Sequence, residues 1–205
     1  MRTQAELLST VIIVSIAIVL ALGMVYYFTP LLVQARANQQ IMNTLSNIAA
    51  ALSMSLEGFE NSTGGFKAVT VVINSGTSAT RLYVFVLTYN SENLPVLLPS
   101  LTYTVYNMSS AAAPLEYDNG WNLLPSVSVD SRHVYVYIKD GYYGIGELKG
   151  NAGSIRLFDA GILRPGSYTV LKVEAQGVQP GYVYSVALAT RINNNYYVVS
   201  ILPLP

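Results

Sequence analysis

Two successive hydrophobic patterns occupy the beginning of the chain. From Leu7 to Ala35 there is no Asp, Glu, Lys, Arg or His, and most positions are apolar. Apolar residues then recur at spacings of four, three, four and four, the period of one helix face: Ile41, Leu45, Ile48, Leu52 and Leu56. Pro30 is the one interruption, and a proline can kink a helix without ending it. The patterns predict one helix from about Ala5 to Leu56, with Gly58 at a typical C-cap position.

The predicted helix is longer than a membrane-spanning helix needs to be. It would span about 75 Å at 1.5 Å per residue, whereas the hydrocarbon core of a bilayer is about 30 Å thick. A secretory signal peptide has an apolar core of only about 7–15 residues and a small-residue cleavage site, and no such site follows here. The segment is therefore expected to stay on the protein. Its small residues permit close helix approach, although a single-pass anchor tolerates them too: Ser9, Thr10, Ser15, Ala17, Ala21 and Gly23.

From about Phe66 onwards the pattern changes to the period of two that is typical of strands. Eight runs show it: 68–74, 81–89, 102–108, 133–138, 154–158, 168–175, 182–192 and 196–202. Turn residues separate them, at Lys139-Asp140-Gly141, Pro165-Gly166 and Pro180-Gly181. Asn193-Asn194-Asn195 predicts a tight hairpin. Residues 107–127, with Asn119-Gly120 and Trp121, are predicted as a long loop with one or two short strands.

These elements define the predicted fold class, α+β. A long hydrophobic N-terminal α-helix, residues 1–57, precedes an all-β antiparallel sandwich head, residues 58–205. The phrase ILRPGSYTVLKVEA has the turn-then-strand form common in immunoglobulin-like domains. No βαβ crossover is visible, so a parallel sheet is not expected.

Composition narrows the function classes. Charged residues make up 11% of the chain, against a globular average of about 25%. The formal net charge is zero, so no nucleic-acid partner is expected, because a phosphate-binding surface needs a basic excess. There is no cysteine, which excludes disulfides, Cys-ligated zinc and a thiol nucleophile. The 16 tyrosines and low charge fit a head that packs against copies of itself.

No catalytic constellation emerges from the sequence, so no enzyme activity, metal or cofactor is expected. His133 is the one histidine, and strand alternation would keep Asp130, Ser131 and His133 out of triad geometry. Gly144-Ile145-Gly146 lacks the third glycine and the helix of a dinucleotide site. Glu116 and Asp118 are interpreted as solvated turn residues in preference to calcium ligands.

Two N-x-[ST] sequons, at Asn61 and Asn107, fall in segments predicted to lie outside the cell. A single sequon often arises by chance. Together with an extracytoplasmic head they make the chain a candidate glycoprotein.

The N-terminal layout resembles that of type IV pilins, and specifically the archaeal type IV pilins and archaellins. The matching features are the short polar start MRTQA, Glu6 beside the apolar run, Pro30 well inside it, and a long helix leading directly into a β-rich head. The resemblance covers MRTQAELLSTVIIVSIAIVLALG and the few residues that follow. The β-rich part carries no pattern of this family.

The resemblance implies a class III signal sequence, cut by a prepilin peptidase on the cytoplasmic side. The usual basic residue followed by Gly or Ala is not present, since Arg2 precedes Thr3 and the first alanine is Ala5. Cleavage after Arg2, cleavage after Ala5 and an already mature chain all stay open. In bacterial pilins an acidic residue placed like Glu6 pairs with a neighbour's N-terminal amine, which a buried carboxylate requires. Alternatively, Glu6 is a polar flank that marks the membrane edge.

The predicted function is that of a structural subunit of an extracellular, type IV pilus-like filament for adhesion. The helix would first cross the cytoplasmic membrane with Arg2 inside, in line with the positive-inside rule. The pilus assembly machinery would then pack it among identical copies. The expected assembly residues are Glu6, Leu7, Val11, Val14, Ile18, Leu22, Val25 and Pro30.

The alternatives are an archaellin, which is close to this hypothesis, and a β-sandwich that stays anchored in the membrane. The latter would be an archaellum stator-like component, an envelope-anchoring subunit or a ligand-binding receptor. The stripe from Ile41 to Leu56 favours the filament, because a plain anchor has no need of so long a helix.

Overall fold

The computed structural model describes residues 2–108, 120–139, 141–148 and 151–205, apart from the side chains of residues 2–8 and 10. The chain divides into two compact units, Met1–Thr44 and Leu45–Pro205. The helix α1 covers Arg2–Ala51. Within the described ranges it is followed by thirteen strands: β1 Leu52–Ser62, β2 Gly65–Asn74, β3 Thr80–Tyr89, β4 Pro95–Val96, β5 Thr102–Met108, β6 Trp121–Leu123, β7 Ser126–Asp130, β8 Val134–Ile138, β9 Gly141–Gly144, β10 Ser154–Leu163, β11 Tyr168–Gln176, β12 Val183–Ile192 and β13 Asn195–Pro203.

The predicted end of the helix is wrong. Helix α1 ends at Ala51, and the next residue already begins β1, so neither Leu56 nor Gly58 belongs to a helix terminus. The stretch LSMSLEGF alternates apolar and polar residues as well as carrying the helical stripe, and pairing with β2 decides between the two periods. Glu57 is the extra residue of a β-bulge between Leu56 and Gly58. The compact β-rich unit therefore begins earlier than residue 58, at Leu45.

The loop after β2 holds the end of the helix. Ser75 donates two hydrogen bonds to the Ala51 carbonyl, one from its backbone N–H at 2.8 Å and one from its hydroxyl at 2.9 Å. The fully buried Asn74 fixes this loop, because its amide donates to the carbonyls of Ser78 and Leu163 while its side-chain oxygen accepts from Gly76. A terminal carbonyl of α1 thus finds its donor within the head.

The strands form the two sheets of a sandwich, as predicted. One sheet has the order β1-β2-β11-β5-β6, and the other runs β7-β10-β3-β12-β13-β8-β9 with β4 paired to β3. Among the described strands the pairings are antiparallel, except for the short parallel contact between β13 and β8. All eight predicted runs fall on strands. The prediction missed β1, β4 and β9, which are either short or, for β1, masked by a helical period, while β6 and β7 begin in the segment predicted to hold one or two short strands.

Two predicted connections have different outcomes. The hairpin at Asn193-Asn194-Asn195 is confirmed, since Ile192 pairs with Asn195 and Asn193 has a φ of 57°. Of the predicted long loop 107–127, residues 109–119 lie outside the described residues. The described part contains β6 and the beginning of β7.

The central strand β3 is buried on both faces. Leu82, Val84 and Val86 point to one side. That side is the interface between the sheets, where Phe66 of β2 lies 5.8 Å from the ring of Tyr184 in β12. Tyr83, Phe85 and Leu87 point to the other side, and they pack in one cluster with residues from the segment that follows β7: Val134, Val136 and Ile145. This second face of β3 therefore packs against Val134 and Val136 of β8 and Ile145 of the turn after β9.

Candidate assembly surface

Helix α1 exposes apolar side chains over most of its N-terminal half. Every Val, Ile, Leu, Met, Phe and Tyr from Val11 to Val33 is exposed. The helix is long and apolar enough to cross a membrane, with a mean hydropathy of 2.6 in its most apolar window within Val11–Ala51. Water is the least favourable surroundings for such a surface, because each of these side chains contributes about 1.5–3 kcal/mol when fully buried.

The predicted assembly residues lie on one side of this surface. Val11, Val14, Ile18, Leu22 and Val25 follow one another at helical spacing, and each is more than half exposed. The other faces are just as apolar and exposed, with Ile12, Ile13, Val19 and Leu20 as examples. The apolar surface therefore surrounds the helix and no single face stands out. Glu6 and Leu7 lie within α1, but their side chains fall outside the described residues.

Two hydroxyls of this segment have partners within the helix. Ser15 donates its hydroxyl to the Val11 carbonyl at 2.8 Å, and Thr29 donates to the Val25 carbonyl at 2.6 Å. Pro30 sits inside the helix without ending it, although it has no N–H to donate to the Tyr26 carbonyl. Hydroxyls that bond back to the helix suit surroundings without water, since nothing else there could satisfy them.

Gly23 has no structural role within its own chain. A Cβ placed there would meet no atom within 4 Å. Glycine in a helix interior costs about 1 kcal/mol relative to alanine. A neighbour that approaches the backbone closely would give Gly23 a purpose that the isolated chain does not.

The residues around the single histidine do not form a catalytic group. Ser131 and His133 lie in a 3-10 turn, and Asp130 caps the start of that turn. A strand with alternating side chains had been expected here. The side chain of Arg132 binds the Asp130 carboxylate and, with the Arg132 backbone N–H, lowers the pKa of Asp130 to about 2. Ser131 is buried and donates to the Asn151 carbonyl, while His133 Nδ1 contacts Asn195 Oδ1 at 3.0 Å.

The two other candidate sites from the sequence have different outcomes. Gly144-Ile145-Gly146 leads into a short 3-10 turn, and a Cβ at Gly146 would collide with the Ser131 hydroxyl, so packing explains this glycine. Glu116 and Asp118 lie outside the described residues. Among the residues described, no group of three or more His, Asp and Glu side chains is placed to hold a metal.

A cleft of about 400 Å³ in the head is lined by residues of both sheets. Tyr103 lies in its wall and donates its hydroxyl to the Arg156 carbonyl at 2.6 Å, and burial raises the pKa of Tyr103. The lining consists of aliphatic, hydroxyl-bearing and small residues together with Arg156. The described lining of this cleft contains no Asp, Glu or His.

The two sequons differ in their surroundings. Asn61 is exposed near the end of β1, beside the turn into β2. Asn107 is half-buried within β5, where it pairs with Leu171 on one side and Asn122 on the other. Asn61 is therefore the more accessible of the two candidates for glycan attachment.

Tyrosines form a surface cluster that the strand pattern alone could not reveal. The rings of Tyr135 and Tyr197 stack at 5.1 Å, and Tyr142 meets Tyr197 edge-on at 5.5 Å and Tyr137 at 5.4 Å. These side chains come from β8, β9 and β13, which the fold brings together. Alternation of tyrosine with valine in VYVY is the one signal of it in the sequence.

Comparison with known proteins does not assign the chain to a family. No family model matches the chain, and no curated protein matches it. Similar solved structures include AvmM, which catalyzes macrocyclization in alchivemycin A biosynthesis, with 6% identity, coverage of 75% of this chain and 86% of that one, and a TM-score of 0.37. A family 3a carbohydrate-binding module from the cipA scaffolding of Clostridium thermocellum has 13% identity, 71% and 97% coverage and a TM-score of 0.33. A family 3b module from the biomass sensoring system of Clostridium clariflavum has 9% identity, 71% and 93% coverage and a TM-score of 0.34. At such scores these likenesses do not bear on the function of this chain.

Proposed function

We propose that this chain is a structural subunit of an extracellular, type IV pilus-like filament, built through α1 and displaying the β-sandwich for adhesion. The observation that carries the proposal is the helix itself, which exposes apolar side chains around its whole circumference from Val11 to Val33. A surface of this kind is satisfied by lipid before assembly and by identical helices after it.

The length of α1 supports assembly over permanent anchoring. Its 50 residues span about 75 Å, of which a bilayer core covers about 30 Å. Helices leave lipid for one another through close packing, since lipid tails are as apolar as leucine. Gly23, which no atom of its own chain requires to be glycine, provides a point of close approach.

The partners of this function are other copies of the chain, a prepilin peptidase and a pilus assembly machinery. The membrane is the first location, with Arg2 on the cytoplasmic side, and the cell-surface filament is the final one. In the filament Glu6 would pair with the N-terminal amine of a neighbour, because an unpaired carboxylate among apolar helices is costly. An archaellin would use the same contacts.

A β-sandwich that stays anchored in the membrane is the second candidate. The hydroxyls of Ser15 and Thr29, which bond back to helix carbonyls, suit permanent residence in lipid as well as a filament core. A permanent anchor does not explain why Gly23, which has open space around its Cα, is a glycine.

An experiment on sheared cells that make the protein distinguishes a filament subunit from a membrane-anchored β-sandwich. Electron microscopy and mass spectrometry of the sheared material should find this chain as the main subunit of long filaments. Leu20→Lys, which places a charge in the apolar surface, should abolish filaments while protein remains detectable. Asn38→Lys, on an exposed part of the same helix beyond the apolar run, should leave them. Recovery of the wild-type chain only as a monomer in membranes would refute the filament.

A further inference from the structure

The outward face of the five-stranded sheet is divided into a charged end and an apolar patch. On β2, Lys67, Val71 and Ile73 point outward, on the face opposite Ala68, Thr70 and Val72. Val69 shares the outward face but is buried. Directly opposite cross-strand partners share a face. The charged end comprises Glu60, Lys67, Lys172 and Glu174, and the apolar patch comprises Val71, Ile73, Tyr168 and Val170.

The charged end lines a shallow cleft of about 310 Å³, where acidic and basic side chains lie beside one another. Lys67 lies between Glu60 of β1 and Glu174 of β11 in the strand register. Lys172 Nζ lies 3.0 Å from a Glu174 carboxylate oxygen and also over the ring of Tyr106, at 4.8 Å from its centre. An antiparallel sheet with one packed face is expected to present polar residues of this kind outward.

The apolar patch departs from that expectation. Ile73 pairs with Tyr168 and Val71 pairs with Val170, so the four side chains form one compact group. Ile73 is 42% exposed and Tyr168 is 51% exposed. The core does not need them, because their inward neighbours Val72 and Leu171 are fully buried. Val71 and Val170 are half-buried between them. A contiguous apolar group that is partly exposed on a sheet is a candidate contact surface.

The patch lies at the end of the head where α1 ends. Ile73 is two residues from Ser75, whose N–H and hydroxyl bind the Ala51 carbonyl. Its other cross-strand partner, Ser53, is the second residue after the helix. Lys67 is six residues further along the same strand, about 20 Å away at 3.4 Å per residue. The apolar patch therefore adjoins the helix end, and the charged end does not.

We propose that the apolar patch is a second contact between copies of this chain, which continues the helix contact onto the head. This inference rests on the proposed filament. Packing of the helices would hold the heads together at their helix ends, at high effective concentration. A second copy is therefore the partner that reaches this surface, while the charged end stays in water. None of the four patch residues carries a charge that contact would desolvate.

Cysteine labelling of filaments tests the contact, because the natural chain has no cysteine. Ile73→Cys probes the patch, and Lys67→Cys is the matched control on the same face of the same strand. In filaments of the full chain, a maleimide should label Ile73→Cys about tenfold more slowly than in detergent-dispersed protein. A thiol that is buried by the contact about ten times as often as it is accessible would react at that reduced rate. Lys67→Cys should label equally in both forms. Equal labelling of Ile73→Cys in both forms would overturn the inference.

A second pair of variants measures the contribution of the patch to assembly. Tyr168→Thr with Val170→Thr keeps strand-compatible side chains, so the melting temperature of the dispersed chain should not change, while filament yield should fall about tenfold. Leu123→Thr, on the exposed edge strand β6, should leave the yield unchanged. Wild-type yield from the double variant would overturn the patch contact alone. Absence of filaments from the wild-type chain would overturn the proposed function and this inference together.

Discussion

Ser75 ties the head to the last residue of the helix by donating both its N–H and its hydroxyl to the Ala51 carbonyl. The hydroxyl bond should contribute about 1 kcal/mol. We therefore expect Ser75→Ala to lower the free energy of unfolding by that amount, measured by urea denaturation of the full chain in detergent. Ser78→Ala, in the same loop, is the control and should be neutral. Equal effects of the two variants would show that the hydroxyl bond does not stabilise the junction.

Thr70 carries a fully buried hydroxyl without a hydrogen-bond partner, the one such side-chain atom among the described residues. An unsatisfied buried hydroxyl costs about 1–3 kcal/mol, so Thr70→Val should stabilise the head by about 1 kcal/mol. The control is Thr88→Val on β3, whose hydroxyl donates to the Val96 carbonyl and whose loss should destabilise. Thermal unfolding should therefore shift in opposite directions. A lower melting temperature for Thr70→Val would contradict the assignment.

Asp159 should make the stability of the head depend on pH. Burial raises the pKa of Asp159, but the hydrogen bonds from Arg81 and the Gly161 N–H, together with the charge of Arg81, outweigh burial and lower it below 3.8. Because the folded pKa is depressed, this stability is present above pH 3.8 and is lost as the pH falls through the folded pKa. The melting-temperature gap between wild type and Asp159→Asn should thus be present at pH 7 and shrink in strong acid. The exposed Glu92→Gln is the control, and a gap independent of pH would refute the assignment.

Gly23 should matter to assembly and not to the isolated chain. Gly23→Leu places a side chain in open space and removes a residue that disfavours helix, so the helix and membrane insertion should persist. Filaments should be lost, because helices could no longer approach closely there. Ala37→Leu, in the second half of α1, is the size-matched control. Sheared filaments and membrane fractions can be compared by immunoblot, and wild-type filament levels from Gly23→Leu would exclude a close contact at this site.

Glycan occupancy should differ between the sequons. We expect Asn61→Gln to remove a glycan mass from the native protein, because Asn61 is exposed beside a turn. Asn107→Gln should leave the intact mass without a glycan difference, since Asn107 is paired on both sides within a sheet. Intact-protein mass spectrometry of material from the producing cells measures both. A glycan on Asn107 alone would contradict the accessibility argument.

Local periodicity predicted most elements, because buried strands and a lipid-compatible helix each impose a strict pattern. It failed where one stretch satisfied two periods. Leu52 and Leu56 fit a helix face, yet the alternation of Ser53 and Ser55 with apolar residues also fits a strand, and only the pairing with β2 decides. The patch around Ile73 could not be predicted for a related reason. Its members come from strands that are distant in sequence and become neighbours through the register of β2 and β11.

Helix α1 ends at Ala51 and strand β1 begins at Leu52, so no flexible linker lies between the helix and the first strand. A pull on the helix reaches the β1–β2 ladder and the Ser75 bonds at once, with no linker to stretch first. Tension on the helix would be met by many backbone hydrogen bonds together.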